Sequence, residues 1–142
     1  MGRRRQAGVA AVELALVLPV LLLMLFGIIQ FSWLMLEYAM LTNATAAGAG
    51  VFSTKRGFTT PYTDTVTQVH NSAATLDPNN MSITITVDGQ ACNSDATCQT
   101  ALAQGNQASV GVNYMFVPLI ADGFVSMLMP TTITSRLNVR VQ

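Results

Sequence analysis

Three groups of residues in this chain have types and spacings that could do chemistry. Gly8, Val9 and Glu13 stand near the N-terminus in "RRRQAGVAAVELALVLPVLLLMLFGII", where the glutamate interrupts an apolar run long enough to cross a membrane. Cys92 and Cys98 are the only cysteines and bracket "CNSDATC". His70 is the only histidine, and Asp64, Asp77, Asp88, Asp95 and Asp122 are spread through the second half. Glu13 asks for the most explanation, because a carboxylate at the bilayer centre costs about 2.5–3.5 kcal/mol on insertion scales. Were the chain cut after Gly8, Val9 would become the new N-terminus and Glu13 the fifth residue. The new ammonium and the carboxylate would then lie four positions apart on one helix face, about 5–6 Å between Cβ atoms. A charge pair within the chain, or between staggered neighbours, would repay the burial.

For the cysteines an oxidising compartment favours pairing, and closing so short a loop would contribute about 2 kcal/mol in the chain-entropy model. A metal site is the competing reading. Tetrahedral zinc usually needs four ligands, and His70 stands without a second cysteine pair. Catalysis has little to stand on: no serine sits in a nucleophile elbow, no glycine-rich phosphate loop appears, and His70 in "TQVHNS" has no recognisable partner. The aspartates lie mostly beside Gly, Pro or Asn, where short carboxylates serve turns. No basic groove with interleaved aromatics offers itself to nucleic acid. We therefore expect neither enzyme activity nor a cofactor.

The elements that must position these residues follow from composition. The 142 residues are 51% hydrophobic and 10% charged, and the apolar excess is concentrated between Val9 and Leu41. A helix over that stretch would be roughly 50 Å long, against about 30 Å of hydrocarbon, so part of it must protrude. Arg3, Arg4 and Arg5 precede the run and place the N-terminus in the cytoplasm by the positive-inside tendency, although Lys55 and Arg56 lie beyond its other end. The run exceeds the about 7–15 residues of a signal-peptide core, and Ala47-Gly48-Ala49 comes too late for signal cleavage. Gln6-Ala7-Gly8 after the arginines does not suit twin-arginine export, and Gln6 stands where myristoylation wants Ser or Thr.

The stretch "GVAAVELALVLPVLLLMLFGIIQF", followed by "LTNATAAGAG", resembles the TadE-like minor pilins, or pseudopilins, of tight-adherence (Tad/Flp) pilus systems. The resemblance is specific over roughly 8–50 and looser beyond. It implies that a prepilin peptidase cuts after Gly8 and that Glu13 guides processing and assembly. Glu13 is followed by Leu14, where the related major pilins carry Glu-Tyr, which points to a minor component. The implied partners are other pilins and minor pilins, the prepilin peptidase, the inner-membrane assembly machinery and membrane lipid. The expected location is the bacterial inner membrane, crossed once, with the C-terminal domain periplasmic and possible incorporation in the surface pilus.

Within the helix, Pro19 lacks an N–H and crowds the carbonyl of Ala15, so a kink or a substitute partner is expected there. Beyond Gln30 polar residues, Ser32, Glu37, Thr42 and Asn43, enter among apolar ones. The small residues Ala44, Ala46, Ala47, Gly48, Ala49 and Gly50 fit either close approach of another backbone or a fraying helix end. "STKRGFTTP" reads as a linker with turns. Val66, Val69, Ala73 and Leu76 recur at helical spacing and predict a short helix that Asp77-Pro78 ends. Strict alternation in "MSITITV" and "SVGVNYMF", and in "TITSRLNVRV" with Ile133, Leu137, Val139 and Val141 opposite Arg136 and Arg140, predicts three half-buried strands. The fold class is therefore α+β: a long helix over 9–50, and over 51–142 a domain with a short helix and an antiparallel sheet of three or more strands, to which the resemblance adds a leader over 1–8 and a pilin-like architecture.

"VPLIADGFVSMLMP" between the last two strands holds more apolar mass than a hairpin loop requires, with Phe124, Met127, Leu128 and Met129 prominent. Local packing under the sheet is one reading, and contact with another minor pilin the other. Altogether the resemblance implies a pilin-like subunit that primes or caps a pilus, or enters it at low abundance, and so serves adhesion. The alternative is a periplasmic binding or adhesin domain held permanently by its N-terminal anchor.

Overall fold

The computed structural model describes residues 3–119 and 127–142, with side chains from Ala10 onward, and divides the chain into two compact units. One holds Met1–Leu34 and Pro118–Met129; the other holds Met35–Val117 and Pro130–Gln142. A single helix, α1 (Arg3–Ser53), contributes to both. Its length follows from composition: Leu, Ala and Met dominate, and Gly27 is the only glycine between Ala10 and Ala47. Pro19 lies inside the helix and is exposed. Its missing N–H leaves the carbonyl of Ala15 without the usual helical donor.

In the first unit α1 is bare as far as Phe26. Every residue from Ala10 to Phe26 is exposed, and the first fully covered side chain is Gln30. Ser32 satisfies its hydroxyl on the carbonyl of Ile28 at 2.8 Å, one turn back, so this polar side chain asks nothing of its surroundings.

In the second unit α1 acquires a buried stripe. Leu41, Ala44, Thr45, Gly48, Ala49 and Phe52 recur at three- and four-residue spacing and are all buried. A second helix, α2 (Pro61–Ser72), packs there: a Cβ on Gly48 would collide with Cγ2 of Val69 and lie 3.6 Å from Cγ2 of Thr65. The small-residue run therefore serves a close approach within the chain, and α1 carries on past it to Ser53 without fraying. Thr45 and Thr65 satisfy their buried hydroxyls on the carbonyls of Leu41 and Pro61. The expected linker is shorter than predicted, because Pro61 is already the first residue of α2, where its fixed φ suits the helix start. The helix also ends earlier than predicted. Ala73 caps it with its N–H shared between the carbonyls of Val69 and His70, and Ala73 and Leu76 are buried from the turn that follows.

Among the described residues the sheet has four antiparallel strands in the order β2-β1-β3-β4: β1 (Met81–Val87), β2 (Gln90–Ala91), β3 (Gln107–Met115) and β4 (Thr132–Arg140). The register pairs Ile85 with Val110 and Val110 with Leu137, so the apolar residues of each strand share one face. One expectation needs correcting there. Ser135 takes a buried place beside Val112, whereas Leu137 remains 40% exposed. β4 is an edge strand, so Leu137 has no neighbouring strand on its far side. β1 and β2 are joined by Asp88 and Gly89, both at positive φ (49° and 81°), the two-residue turn whose twist matches a hairpin.

Between β2 and β3 a third helix, α3 (Asp95–Ala101), was not anticipated. Ser94 opens it with a capping box, its hydroxyl accepting from the N–H of Thr97 while Thr97 reaches back to the N–H of Ser94. The domain core brings together Ala49 and Phe52 of α1, Ile85 and Val87 of β1, Ala108 and Val110 of β3, and the Cys92–Cys98 bridge with Leu102.

Candidate membrane and assembly segment

The N-terminal part of α1 is the surface least suited to water. Leu16 is 73% exposed, and from Val12 to Phe31 more than ten large apolar side chains are about half exposed or more. At about 1 kcal/mol for each half-covered side chain, transfer into an apolar phase is worth on the order of 10 kcal/mol. That exceeds by several-fold the about 2.5–3.5 kcal/mol charged for one central carboxylate. The helix is long and apolar enough to cross a membrane, and it is a candidate anchor on those grounds.

Glu13 sits on this bare part of α1, exposed, one turn beyond Val9. Among the described residues no ion pair includes it; the salt bridge found is Lys55–Asp64 at 2.8 Å. Gly8 and Val9 lie within α1, so the bond between them belongs to a helical stretch of backbone.

Cys92 and Cys98 are joined by a disulfide with Cα atoms 5.0 Å apart, both fully buried. The loop they close has a second function that sequence reading missed. Asp95, inside it, accepts from the backbone N–H groups of Tyr62 (2.8 Å) and Thr63 (3.0 Å) and from the Thr63 hydroxyl (2.6 Å). These are free donors in the first turn of α2, whose own N-cap residue, Thr60, makes no side-chain cap. The Thr63 hydroxyl bond, then its N–H, hold the Asp95 carboxyl below its ordinary range. Asp64 is lowered likewise, first by its bond with Lys55 and then by Thr60. Asp77 accepts from the N–H of Asn79 in the 3-10 turn Pro78–Asn80, and Asp88 from the N–H of Gln107; both match the turn roles expected for them. Asp122 lies outside the described residues.

The β3–β4 connection is only partly visible. Met127 and Leu128 are 86% and 69% exposed, and Met129 is half-buried. Phe124 lies outside the described residues. Among the described residues no group of three or more His, Cys, Asp or Glu could hold a metal ion.

Also missed in the sequence were the buried positions of Gln30 and Glu37, 0% and 5% exposed. Gln30, Leu34, Glu37, Leu41, Ala44, Thr45 and Gly48 continue one helical period. The signal was present but carried by polar letters. Glu37 leaves its mark on Tyr114, whose hydroxyl pKa is pushed up first by burial and then by the charge of Glu37.

A long helix, bare and apolar towards its N-terminus, continues into a small α+β domain with a four-stranded antiparallel sheet. Residues 8–50 match the family described as TadE-like protein, the same stretch on which the resemblance rested. Searches among curated proteins and among solved structures returned no match.

Proposed function

We propose that the protein is a pilin-like subunit of a Tad-type pilus, made with a leader that a prepilin peptidase removes after Gly8. The observation that carries this reading is that the TadE-like match, residues 8–50, coincides with α1 up to its last turn and takes in both its bare apolar stretch and its small-residue face. In this reading α1 crosses the inner membrane with Arg3–Arg5 in the cytoplasm, and the sheet domain lies on the far side, where the Cys92–Cys98 bond can form and persist. Glu13 then meets the Val9 ammonium of a neighbouring subunit, which removes the cost of the carboxylate in the assembled state. The protein acts by assembly, priming or capping the pilus or entering it at low abundance, and its partners are other pilins and the machinery that extracts them from the membrane. Pro19, by freeing the carbonyl of Ala15, offers neighbouring helices an acceptor inside the bilayer.

The test follows leader removal by mass and pilus recovery from the cell surface. Mature protein beginning at Val9 supports the reading; an intact N-terminus on protein from pilus-bearing cells refutes it and leaves a permanently anchored domain. Gly8→Phe should retain the leader, because a bulky side chain obstructs the scissile bond. Glu13→Gln keeps the shape and removes the charge, so it should be processed and inserted yet assemble poorly. Normal assembly of Glu13→Gln would show that the charge pair is not what holds Glu13 in place.

A further inference from the structure

Among the described residues the outer edge of β4 is open along its whole length. The N–H of Phe116 donates to the carbonyl of Thr131 at 3.0 Å, and the N–H of Val141 to the carbonyl of Asn106 at 3.1 Å, one bond at each end of the β3–β4 ladder. Bonded residues alternate along an antiparallel pair, so the odd-numbered residues of β4 are the ones tied to β3. Thr132, Thr134, Arg136, Asn138 and Arg140 therefore turn their N–H and C=O groups away from the sheet, where no described backbone group bonds them. The register runs unbroken from Arg140 to Thr132, with neither a bulge nor a proline to blunt the edge. The opposite edge is better closed: β2 pairs with Thr86 and Val87, and the N–H of Cys92 takes the carbonyl of Ile85. We infer that β4 accepts an antiparallel strand from another polypeptide, one with carboxylates opposite Arg136 and Arg140 and aliphatic side chains opposite Leu137 and Val139.

Parity and charge decide the occupant. The even-numbered side chains of β4 share the exposed face of the sheet, where Arg136 lies over the side-chain-free Gly111. Among the described residues neither Arg136 nor Arg140 is in an ion pair. On the other face Leu137 is 40% exposed and Val139 half-buried, which leaves apolar surface for a neighbour to cover. Directly opposed residues on adjacent strands stand about 4.5–5.5 Å apart at Cβ, so unlike charges there attract and like charges repel. An incoming strand should thus read acid, aliphatic, any, aliphatic, acid. None of the four strands of this chain holds an acidic residue, and a second β4 centred on Arg136 would set arginine against arginine. The strands of a second copy are therefore the wrong partners. Backbone bonds would supply the affinity of the added strand and the alternate side chains its selectivity.

The probe is a capped peptide, Glu-Val-Thr-Val-Glu with two threonines at either end, added to the full-length protein in a mild detergent. Control peptides replace both glutamates with glutamine or with lysine, or keep them with N-methylated backbone nitrogens that cannot extend a ladder. The glutamate peptide should bind several-fold more tightly than the glutamine one, and the lysine and N-methylated peptides should bind least. Its binding should slow amide exchange most at Arg136, Asn138 and Arg140, whose N–H groups face outward. Arg136→Glu with Arg140→Glu should reverse the preference in favour of the lysine peptide; both side chains are exposed, and near-ultraviolet circular dichroism checks that the fold is kept. Binding of no peptide leaves the arginines as a guard against edge pairing and overturns the inference. Equal binding of the N-methylated peptide makes the contact charge attraction without a strand, and equal binding of the glutamine peptide removes the carboxylates from the partner; either overturns it. Slowing of the same amides as the protein alone is concentrated puts a second copy on this edge and overturns it as well.

Discussion

Gly48 offers the sharpest quantitative test of the fold. A Cβ at this position would run into Cγ2 of Val69, a β-branched side chain that is fully buried in α2 and cannot swing aside. Gly50, on the same helix two residues away, has open space around a hypothetical Cβ. Replacing either with alanine stabilises α1 by about 0.5–1 kcal/mol through reduced backbone entropy. At Gly48 this gain is opposed by overpacking, about 1–3 kcal/mol in well-packed interiors. Gly50→Ala should therefore raise stability and Gly48→Ala lower it or leave it near zero, with a gap of about 1–3 kcal/mol. For a domain of this size that gap is roughly 5–20 °C in Tm.

The measurement is thermal unfolding of the full-length variants in a mild detergent, followed by near-ultraviolet circular dichroism, which reports tertiary packing and is blind to the continued helicity of α1. The second half of the test is a rescue. Val69→Ala costs stability alone but removes the colliding methyl, so in that background Gly48→Ala should become stabilising. Equal Tm values for Gly48→Ala and Gly50→Ala would refute the α1–α2 approach. If Gly48→Ala kept full stability while abolishing pilus assembly, the small-residue face would belong to a neighbouring subunit instead.

Reduction should raise the intact mass by two hydrogens, with no link between chains, and alkylation should add two groups only after reduction; free thiols on protein from the native compartment would contradict the buried bridge. Reduction should also loosen the N-terminal turn of α2, seen as faster hydrogen exchange at Tyr62 and Thr63, because the carboxylate that caps them lies within the disulfide loop. The Asp95 carboxyl has a folded pKa below its unfolded value, so its contribution is present above about pH 4 and is lost as pH falls through the folded value. Asp95→Asn should be less stable than the parent near neutrality, with the difference closing on acidification; a difference unchanged down to acid pH would show that charge on Asp95 is not what the cap uses.

How far the sequence revealed this arrangement depended on whether the physics was local. Alternation in "MSITITV" needs only neighbouring letters, and β1 appeared where it was expected, as did the cysteine pair, for which the sequence offered too few other ligands to make a zinc site. Leu137 shows the limit of the same rule, since parity gives the face of the sheet and only strand order gives the edge. The helix supplies the deeper case. Gln30, Glu37 and Thr45 are buried on α1, and a reading that assigns polar letters to solvent breaks the stripe they continue. Asp95 is harder still, because its three donors come from Tyr62 and Thr63, more than thirty residues away, and no spacing within "CNSDATC" announces them. What the cysteines do locally, closing a loop, was legible; what the closed loop does, presenting a carboxylate to the uncapped start of α2, exists only once both elements have been placed. The same α2 that Asp95 caps lies against Gly48, in the stretch of α1 that matches the TadE-like family, so disulfide loop, cap and helix face all sit within the second compact unit.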